Sequence, residues 1–177
     1  MKIIFVAAAG MLLAACTTQI HAKDETIQPS KVPLGKFKYA ELKPLIVEKM
    51  EGDSSDQKAV EKIANELEGC LNMVFPAIKA GKSVADTDTG RLRIEPSIVD
   101  LKKVNTGERI FAGALAGSSA VLLKVKYTDL STQQVVAEPI FYAKAAAMGG
   151  AWTFGATDGL MLTRVVENAC DYGRKYY

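Results

Sequence analysis

Apolar and polar residues alternate most regularly in the segment "VLLKVKYTDL". One face would carry Val121, Leu123, Val125 and Tyr127, and the other Lys124, Lys126 and Thr128. This period of two predicts a half-buried β-strand. The polar turn "STQQ" and the segment "VVAEPIFYAKA" follow, and together they predict a hairpin. Upstream, "RLRIEPSIVDLKKV" predicts another strand, with Leu92, Ile94 and Ile98 on one face.

Two stretches have the helical period instead. In the first, Ser54 and Gln57 have capping-box spacing, and Pro76 should kink or end the helix, with Gly81 as a further stop. Its predicted apolar face consists of Val60, Ile63, Leu67, Cys70, Leu71 and Val74. A second helix is predicted from about Leu160 to Tyr172. Its buried stripe would be Leu162, Val165, Val166 and Ala169.

The order of these elements predicts the fold class. "KFKYAELKPLIVE" is typical of a strand that is interrupted near Pro44, as at a sheet edge or a bulge. The order is then strand, helix, two or three strands, helix. We therefore expect an α+β fold, a single mixed sheet of about four strands with two helices packed on one face.

The N-terminus has the pattern of a secretory signal. Lys2 precedes the apolar run Ile3 to Leu13, which is too short for a transmembrane helix of about 20 residues. Leu13-Ala14-Ala15-Cys16 resembles the lipobox of bacterial lipoproteins, and this resemblance implies a lipid on Cys16. Thr17 stands where enteric inner-membrane retention signals carry Asp, which favours the outer membrane, with the domain facing the periplasm. The alternative is a plain signal peptide.

The chain divides accordingly into a signal peptide (1–15), a lipidated Cys16 with a flexible tether (16–35) and a periplasmic domain (36–177). The tether sequence is polar and contains Pro29 and Pro33, a composition that cannot bury enough surface to offset ordering. The remaining residues suffice for one domain with a core of its own.

Charge and composition exclude several functions. Lys and Arg number 22 against 20 Asp and Glu, with no basic block, so no nucleic-acid partner is expected. The single histidine, His21, falls in the tether, so the domain lacks the usual participant in nucleophilic catalysis and zinc binding. We expect no catalytic residues, no cofactor and no metal site. Cys70 and Cys170 would either form a disulfide between the two helices or remain as two buried free thiols.

Two small-residue segments are candidates for partner binding. "IFAGALAGSSAVLL" is too short and polar for a membrane span and lacks the lysine of a phosphate loop. It is best explained as a connection between strands in which Gly113 and Gly117 permit positive φ; the alternative is a docking edge for another subunit or a lipid surface. The second segment, "AAAMGGAWTFGATDG", contains Trp152 and Phe154. These two aromatic residues would either pack in the core or anchor a partner.

From Arg91 to Tyr142 the chain resembles a family of uncharacterised Gram-negative lipoproteins. The shared pattern is a strand like "RIEPSIVDLKK", an Arg, a Gly/Ala-rich turn, a strand like "AVLLKVKYTDL" and a hairpin partner. The family commonly has Thr-Gly in the hairpin, where this chain has Ser131-Thr132-Gln133. The resemblance implies an accessory or assembly role, without catalytic residues.

These observations lead to one main hypothesis. The chain would be a non-enzymatic, periplasm-facing outer-membrane lipoprotein that binds envelope proteins or self-assembles. The alternative is a module that binds peptidoglycan or a small ligand. A hydrolase using carboxylates is a third class, and no set of residues supports it.

Overall fold

The computed structural model describes residues 27–51, 54–76, 78–80, 90–102, 118–145 and 156–177. Within these ranges one mixed sheet is combined with two long helices, α1 (Ser54–Val74) and α2 (Ala156–Tyr176). The predicted α+β class is confirmed.

Among the described residues, the sheet contains eight strand segments. They are β1 (Tyr39–Leu42), β2 (Ile46–Val47), β3 (Met50–Glu51), β4 (Ile78–Ala80), β5 (Arg91–Lys102), β6 (Ala120–Asp129), β7 (Gln134–Ala137) and β8 (Ile140–Lys144). The strand order is β4-β1-β5-β6-β7, with β2 and β3 also paired to β5 and β8 paired to β6. The segments β1, β2 and β3 run parallel to β5, whereas β6 is antiparallel to β5, β7 and β8.

The sheet has more strand segments than the four predicted, for two reasons. The first predicted strand is broken after Leu42 and resumes at Ile46, in agreement with the interruption predicted near Pro44. The three-residue strand β4 is too short to show an alternating pattern, and it extends the sheet beyond β1.

One face of the sheet packs against both helices and forms the core. The strands contribute Leu92, Ile94, Ile98, Val121, Leu123, Val125, Tyr127 and Phe141. From α1 come Ile63, Leu67, Cys70, Leu71 and Val74, and from α2 Leu162, Val165, Val166 and Ala169. The predicted buried faces of both helices are thus confirmed, with Val60 partly buried at the margin. The helix α1 ends two residues before Pro76, and α2 is longer than the predicted 160–172 because its polar ends carry no apolar pattern.

The hairpin between β6 and β7 explains the unusual turn sequence. Gln133 has φ 56°, the left-handed conformation for which glycine is usual. Its side-chain amide donates a hydrogen bond to the carbonyl oxygen of Leu130 at 2.8 Å. The backbone N–H of Ser131 donates to the Asp129 carboxylate at 2.9 Å, so side chains stabilise the turn without glycine.

The described part of the predicted tether packs on the domain. Leu34 is fully buried, and Val32 packs against the core. The backbone N–H of Lys31 donates to the carbonyl oxygen of Val136 at 2.9 Å, along the β7 edge of the sheet. The Tyr172 hydroxyl donates to the carbonyl oxygen of Gln28 at 3.1 Å. Residues 27–35 are therefore part of the folded unit.

Candidate functional site

The face of the sheet opposite the helices, called the outer face below, carries alternating polar side chains. Residues that pair across neighbouring strands point to the same face. The register places Ile46 beside Ser97, Ser97 beside Lys124 and Lys124 beside Ile140, in one row across four strand segments. The next row pairs Glu95 with Lys126.

Oppositely charged side chains are paired along this face. The Lys124 ammonium lies 2.7 Å from the Glu48 carboxylate, which also accepts a hydrogen bond from the Ser97 hydroxyl at 2.8 Å. The hydrogen bond from Lys124, and then that from Ser97, lower the pKa of Glu48. Lys126 lies 3.4 Å from Glu95. Glu48 is therefore ionised at neutral pH, and the face presents acidic and cationic side chains next to each other.

A hollow of about 280 Å³ opens on this face where β1 gives way to β2. It forms because the chain stops pairing with β5 around Pro44. Pairing resumes further along, where the Glu48 N–H donates to the carbonyl oxygen of Ile98 at 2.8 Å. Pro44 has no N–H for a ladder hydrogen bond, which accounts for the break. The residues that line the hollow are Lys43, Pro44, Ile46, Glu48, Glu95, Pro96, Ser97, Lys124, Lys126 and Glu138.

A more deeply buried charge cluster lies at the Glu41 end of the same face. The Glu41 carboxylate, only 1% exposed, forms ion pairs with Lys43 and with Arg93, the latter at 3.4 Å. Burial alone would raise the pKa of Glu41, but hydrogen bonds and charge attraction from Lys43 and Arg93 outweigh burial and lower it. Lys43 and Arg93 thus favour the carboxylate form of Glu41.

Two isoleucines flank the paired charges. Ile46 is 60% exposed and Ile140 is 39% exposed, and they occupy opposite ends of the Ser97–Lys124 row. A large aliphatic side chain at each end of a polar row gives the outer face the mixed character of a protein-binding surface, with apolar anchors and polar neighbours.

On the opposite side of the molecule, α1 and α2 form a groove of about 340 Å³ around Cys70 and Cys170. The Cα atoms of the two cysteines lie 6.1 Å apart and their sulfur atoms are bonded, 100 residues apart in sequence. Of the two alternatives left open by the sequence, the structure contains the disulfide. Met73, 73% exposed, lines the same groove.

The other sequence-based candidates lie outside the described residues. These are Cys16, the proposed lipid attachment point, and the partner-binding candidates Gly113, Gly117, Trp152 and Phe154. The described strands do show where the last four are attached. Ala120 pairs with both Lys102 and Lys144, so β5, β6 and β8 meet the segments 103–117 and 146–155 at one end of the sheet.

The outer face could be found only in part from the sequence. Alternation in "VLLKVKYTDL" placed Lys124 and Lys126 on the face away from the core. Their partners Glu48 and Glu95 could not be identified, because cross-strand register depends on tertiary pairing and has no local signal. Ile140 was also missed, because it follows Pro139 at the start of a separate strand and its position beside Lys124 depends on the register.

The described residues include neither a membrane-spanning helix nor a metal-binding cluster. No helix among them is long and apolar enough to span a membrane. None of their His, Cys, Asp and Glu side chains form a group of three or more suited to a metal ion.

Neither of two comparisons by sequence found a relative. The chain matches no protein-family model, and no curated protein is similar to it.

Solved structures with a related arrangement do exist. One is a PelC dodecamer from Paraburkholderia phytofirmans, 13% identical, with a TM-score of 0.48 over 80% of this chain and 96% of that one. Another is protein XCC0632 from Xanthomonas campestris, a member of family DUF330, 11% identical, with a TM-score of 0.40 over 85% of this chain and 95% of that one. A third, described as a candidate lipoprotein from Caulobacter crescentus, is 10% identical, with a TM-score of 0.32 over 72% of this chain and 87% of that one. None of these TM-scores reaches 0.5, so the function proposed below rests on the residues of this chain.

Proposed function

We propose that this protein is a lipid-anchored, non-enzymatic assembly subunit of the outer membrane, facing the periplasm, whose outer face binds a second copy of the chain. The observation that carries the binding role is the row Ile46–Ser97–Lys124–Ile140 with its paired charges. The anchor is supported by the signal-like N-terminus and the lipobox-like residues ending at Cys16.

The distribution of charge favours a second copy as the occupant. The outer face carries Glu48 and Glu95 together with Lys124 and Lys126, so it is complementary to itself. In a two-fold arrangement the same patch serves on both subunits, and acids of one copy can meet cations of the other. The exposed side chains of Ile46 and Ile140 supply apolar contact that a monomer leaves in water.

Self-association of the purified protein tests the binding role. We expect wild-type protein to associate with increasing concentration in light scattering coupled to size exclusion. Ile46→Glu should weaken this association by about 10-fold or more, since a charged group would replace the apolar contact and would have to be desolvated in the interface. Met73→Glu is the matched control, because Met73 is also an exposed apolar residue but lies in the helix groove.

The outcomes separate the alternatives. Equal loss in both variants, or loss in Met73→Glu alone, would show that the outer face is not the interface. A wild-type protein that stays monomeric at all concentrations would rule out the second copy as occupant, and crosslinking from position 46 in cells would then identify any other envelope partner.

The anchor has its own test. Cys16→Ser should move the protein from the membrane fraction to the soluble periplasmic fraction. Continued fractionation of the variant with the outer membrane would contradict lipid attachment at Cys16 as the anchor.

A small-ligand-binding module is the second candidate. A groove of about 480 Å³ lies between the β1–β2 break and α1, lined by Leu42, Pro44, Leu45, Val60 and Leu67 among others. Its volume is within the range of ligand sites, and its lining is largely apolar. An apolar ligand that raises the melting temperature of the wild type but not of Leu45→Ala would favour this candidate, and a pulldown on purified sacculi tests peptidoglycan.

A further inference from the structure

We infer that the end of the domain at which the N-terminal segment joins α2 is a docking surface for anionic phospholipid. This surface, called the basic end, consists of Lys31, Lys36, Lys38, Arg174 and Lys175. The inference rests on the lipid anchor proposed above and adds which side of the domain faces the bilayer.

The basic end combines exposed cations with few acids. Its five cationic side chains are all exposed. Among the described residues, the acidic side chains paired to them are Asp129, 4.0 Å from Lys36, and Asp171, 2.5 Å from Arg174. Within the described part of the chain, cations are therefore in excess at this end. On the outer face, by contrast, each of Lys43, Lys124 and Lys126 pairs with a glutamate.

Aromatic and aliphatic side chains lie among these cations. Tyr177 is 51% exposed and packs the edge of its ring against Phe75 at 5.4 Å between centroids. The Lys175 ammonium lies 5.3 Å from the centre of the half-buried Tyr176 ring. Ile27 is also exposed. Tyrosine beside Lys and Arg is the combination that suits the headgroup region of a bilayer, where the ring is half buried and the cations meet phosphate.

The place where the described chain begins, at Ile27, brings this surface close to the membrane. The Tyr172 hydroxyl bonds to Gln28, so the described chain begins beside the last turns of α2. Cys16 precedes Ile27 by eleven residues, which reach about 37 Å at full extension. A lipid on Cys16 would thus hold the basic end close to the headgroups.

Electrostatics then orients the domain. A cation near an anionic leaflet gains about 1 kcal/mol, equivalent to about fivefold in the docking equilibrium, and the attraction fades over a Debye length of about 8 Å. Docking this end leaves the outer face, which is centred on Ser97 in β5 and Lys124 in β6, free to bind a second copy.

Lysine footprinting of the mature lipidated protein tests the inference. The protein is reconstituted in vesicles of phosphatidylcholine alone or mixed with phosphatidylglycerol, and acylation of each lysine is quantified by mass spectrometry. We expect Lys31, Lys36, Lys38 and Lys175 to be protected in the anionic vesicles only. Lys58 and Lys144 are exposed lysines outside this surface and should react equally in both.

A charge-reversed variant and salt complete the design. Lys38→Glu with Lys175→Glu should lower the docking equilibrium about fivefold for each cation removed, so that Lys31 becomes reactive. Lys58→Glu with Lys144→Glu is the matched control. Salt at 1 M should abolish protection, because the Debye length falls to about 3 Å, while the lipid keeps the protein on the vesicle.

The possible failures are distinguishable. Lipidated protein whose basic end reacts equally in both vesicle types, or whose Lys124 and Lys126 are protected instead, would overturn the inference and leave the anchor intact. An intact mass without lipid on Cys16 would overturn the anchor, and the docking surface with it.

Discussion

The backbone N–H of Gly35 donates a hydrogen bond to the carbonyl oxygen of Tyr177 at 3.0 Å. This contact joins the short 3-10 helix Leu34–Lys36 to the residue that follows α2. A β-carbon added at Gly35 would collide with the backbone oxygen of Tyr177. The close approach therefore requires glycine.

Gly35→Ala should destabilise the protein by more than about 1 kcal/mol, because a backbone atom has to move. Gly69→Ala is the control. Gly69 lies inside α1 with nothing within 4 Å of an added β-carbon, so alanine there should stabilise by up to about 1 kcal/mol through helix propensity. Urea denaturation measures both. Equal effects at the two sites would contradict the described packing of residue 35.

The Cys70–Cys170 disulfide should contribute strongly to the free energy of unfolding. The chain-entropy model gives about 4.7 kcal/mol for a loop of this length. Peptide mapping of non-reduced, alkylated protein should recover the two cysteines as one linked pair, and reductant should lower the unfolding midpoint. Reductant should not affect the Cys70→Ala, Cys170→Ala double variant. Recovery of both cysteines as alkylated thiols would contradict the bond.

Local patterns account for most of the fold and little of the site. The buried faces of α1, β5 and β6 follow from periodicity alone, because each is long enough for apolar residues to recur. The strand β4 and the end of the tether have no such signal. Leu34 is one apolar residue in a polar segment, and its burial depends on contacts with residues more than a hundred positions away, around α2.

The outer face shows the same limit in a different way. The sequence places Lys124 on the polar side of its strand, but Glu48 reaches it from the end of β2 through pairing with β5. That register is set where the chain breaks at Pro44 and returns to the sheet. The interruption near Pro44, predicted as a sheet edge or a bulge, is thus the feature that forms the hollow.

Glu41 should contribute stability that depends on pH. Lys43 and Arg93 lower its pKa below the usual 4.5 in the folded protein. A lowered folded-state pKa gives stability that is fully present above the unfolded-state value and is lost as pH falls through the folded-state value. The wild type should therefore lose stability as the pH falls below about 4.5. The Glu41→Gln variant should lose less, because it has no carboxylate to protonate at position 41.

At neutral pH, Glu41→Gln should cost about 1–2 kcal/mol, the value of charged hydrogen bonds discounted for the partial exposure of Lys43 and Arg93. Glu95→Gln is the control, since its pair with Lys126 is about a third exposed on both sides and should cost less than about 1 kcal/mol. Denaturation at pH 7 and pH 4 measures both variants. An unchanged pH dependence in Glu41→Gln would contradict the assigned ion pairs.

Tyr127 and Tyr172 stack with their ring centres 6.0 Å apart, yet their hydroxyl groups differ. The Tyr127 ring and hydroxyl are fully buried, and no hydrogen-bond partner for the hydroxyl lies among the described residues. The Tyr172 hydroxyl, in contrast, donates to Gln28. Burial raises the pKa of both phenols, that of Tyr172 to about 12, so both are protonated at neutral pH.

Replacing each tyrosine with phenylalanine separates ring packing from hydrogen bonding. Tyr127→Phe removes a desolvated hydroxyl and should leave the free energy of unfolding unchanged or raise it by up to about 1 kcal/mol. Tyr172→Phe keeps the same ring contacts and should lower it by about 0.5–1.5 kcal/mol, because the link to Gln28 is lost. Urea denaturation with matched m-values provides the comparison. A destabilised Tyr127→Phe variant would instead show that the Tyr127 hydroxyl has a hydrogen-bond partner, contrary to the prediction.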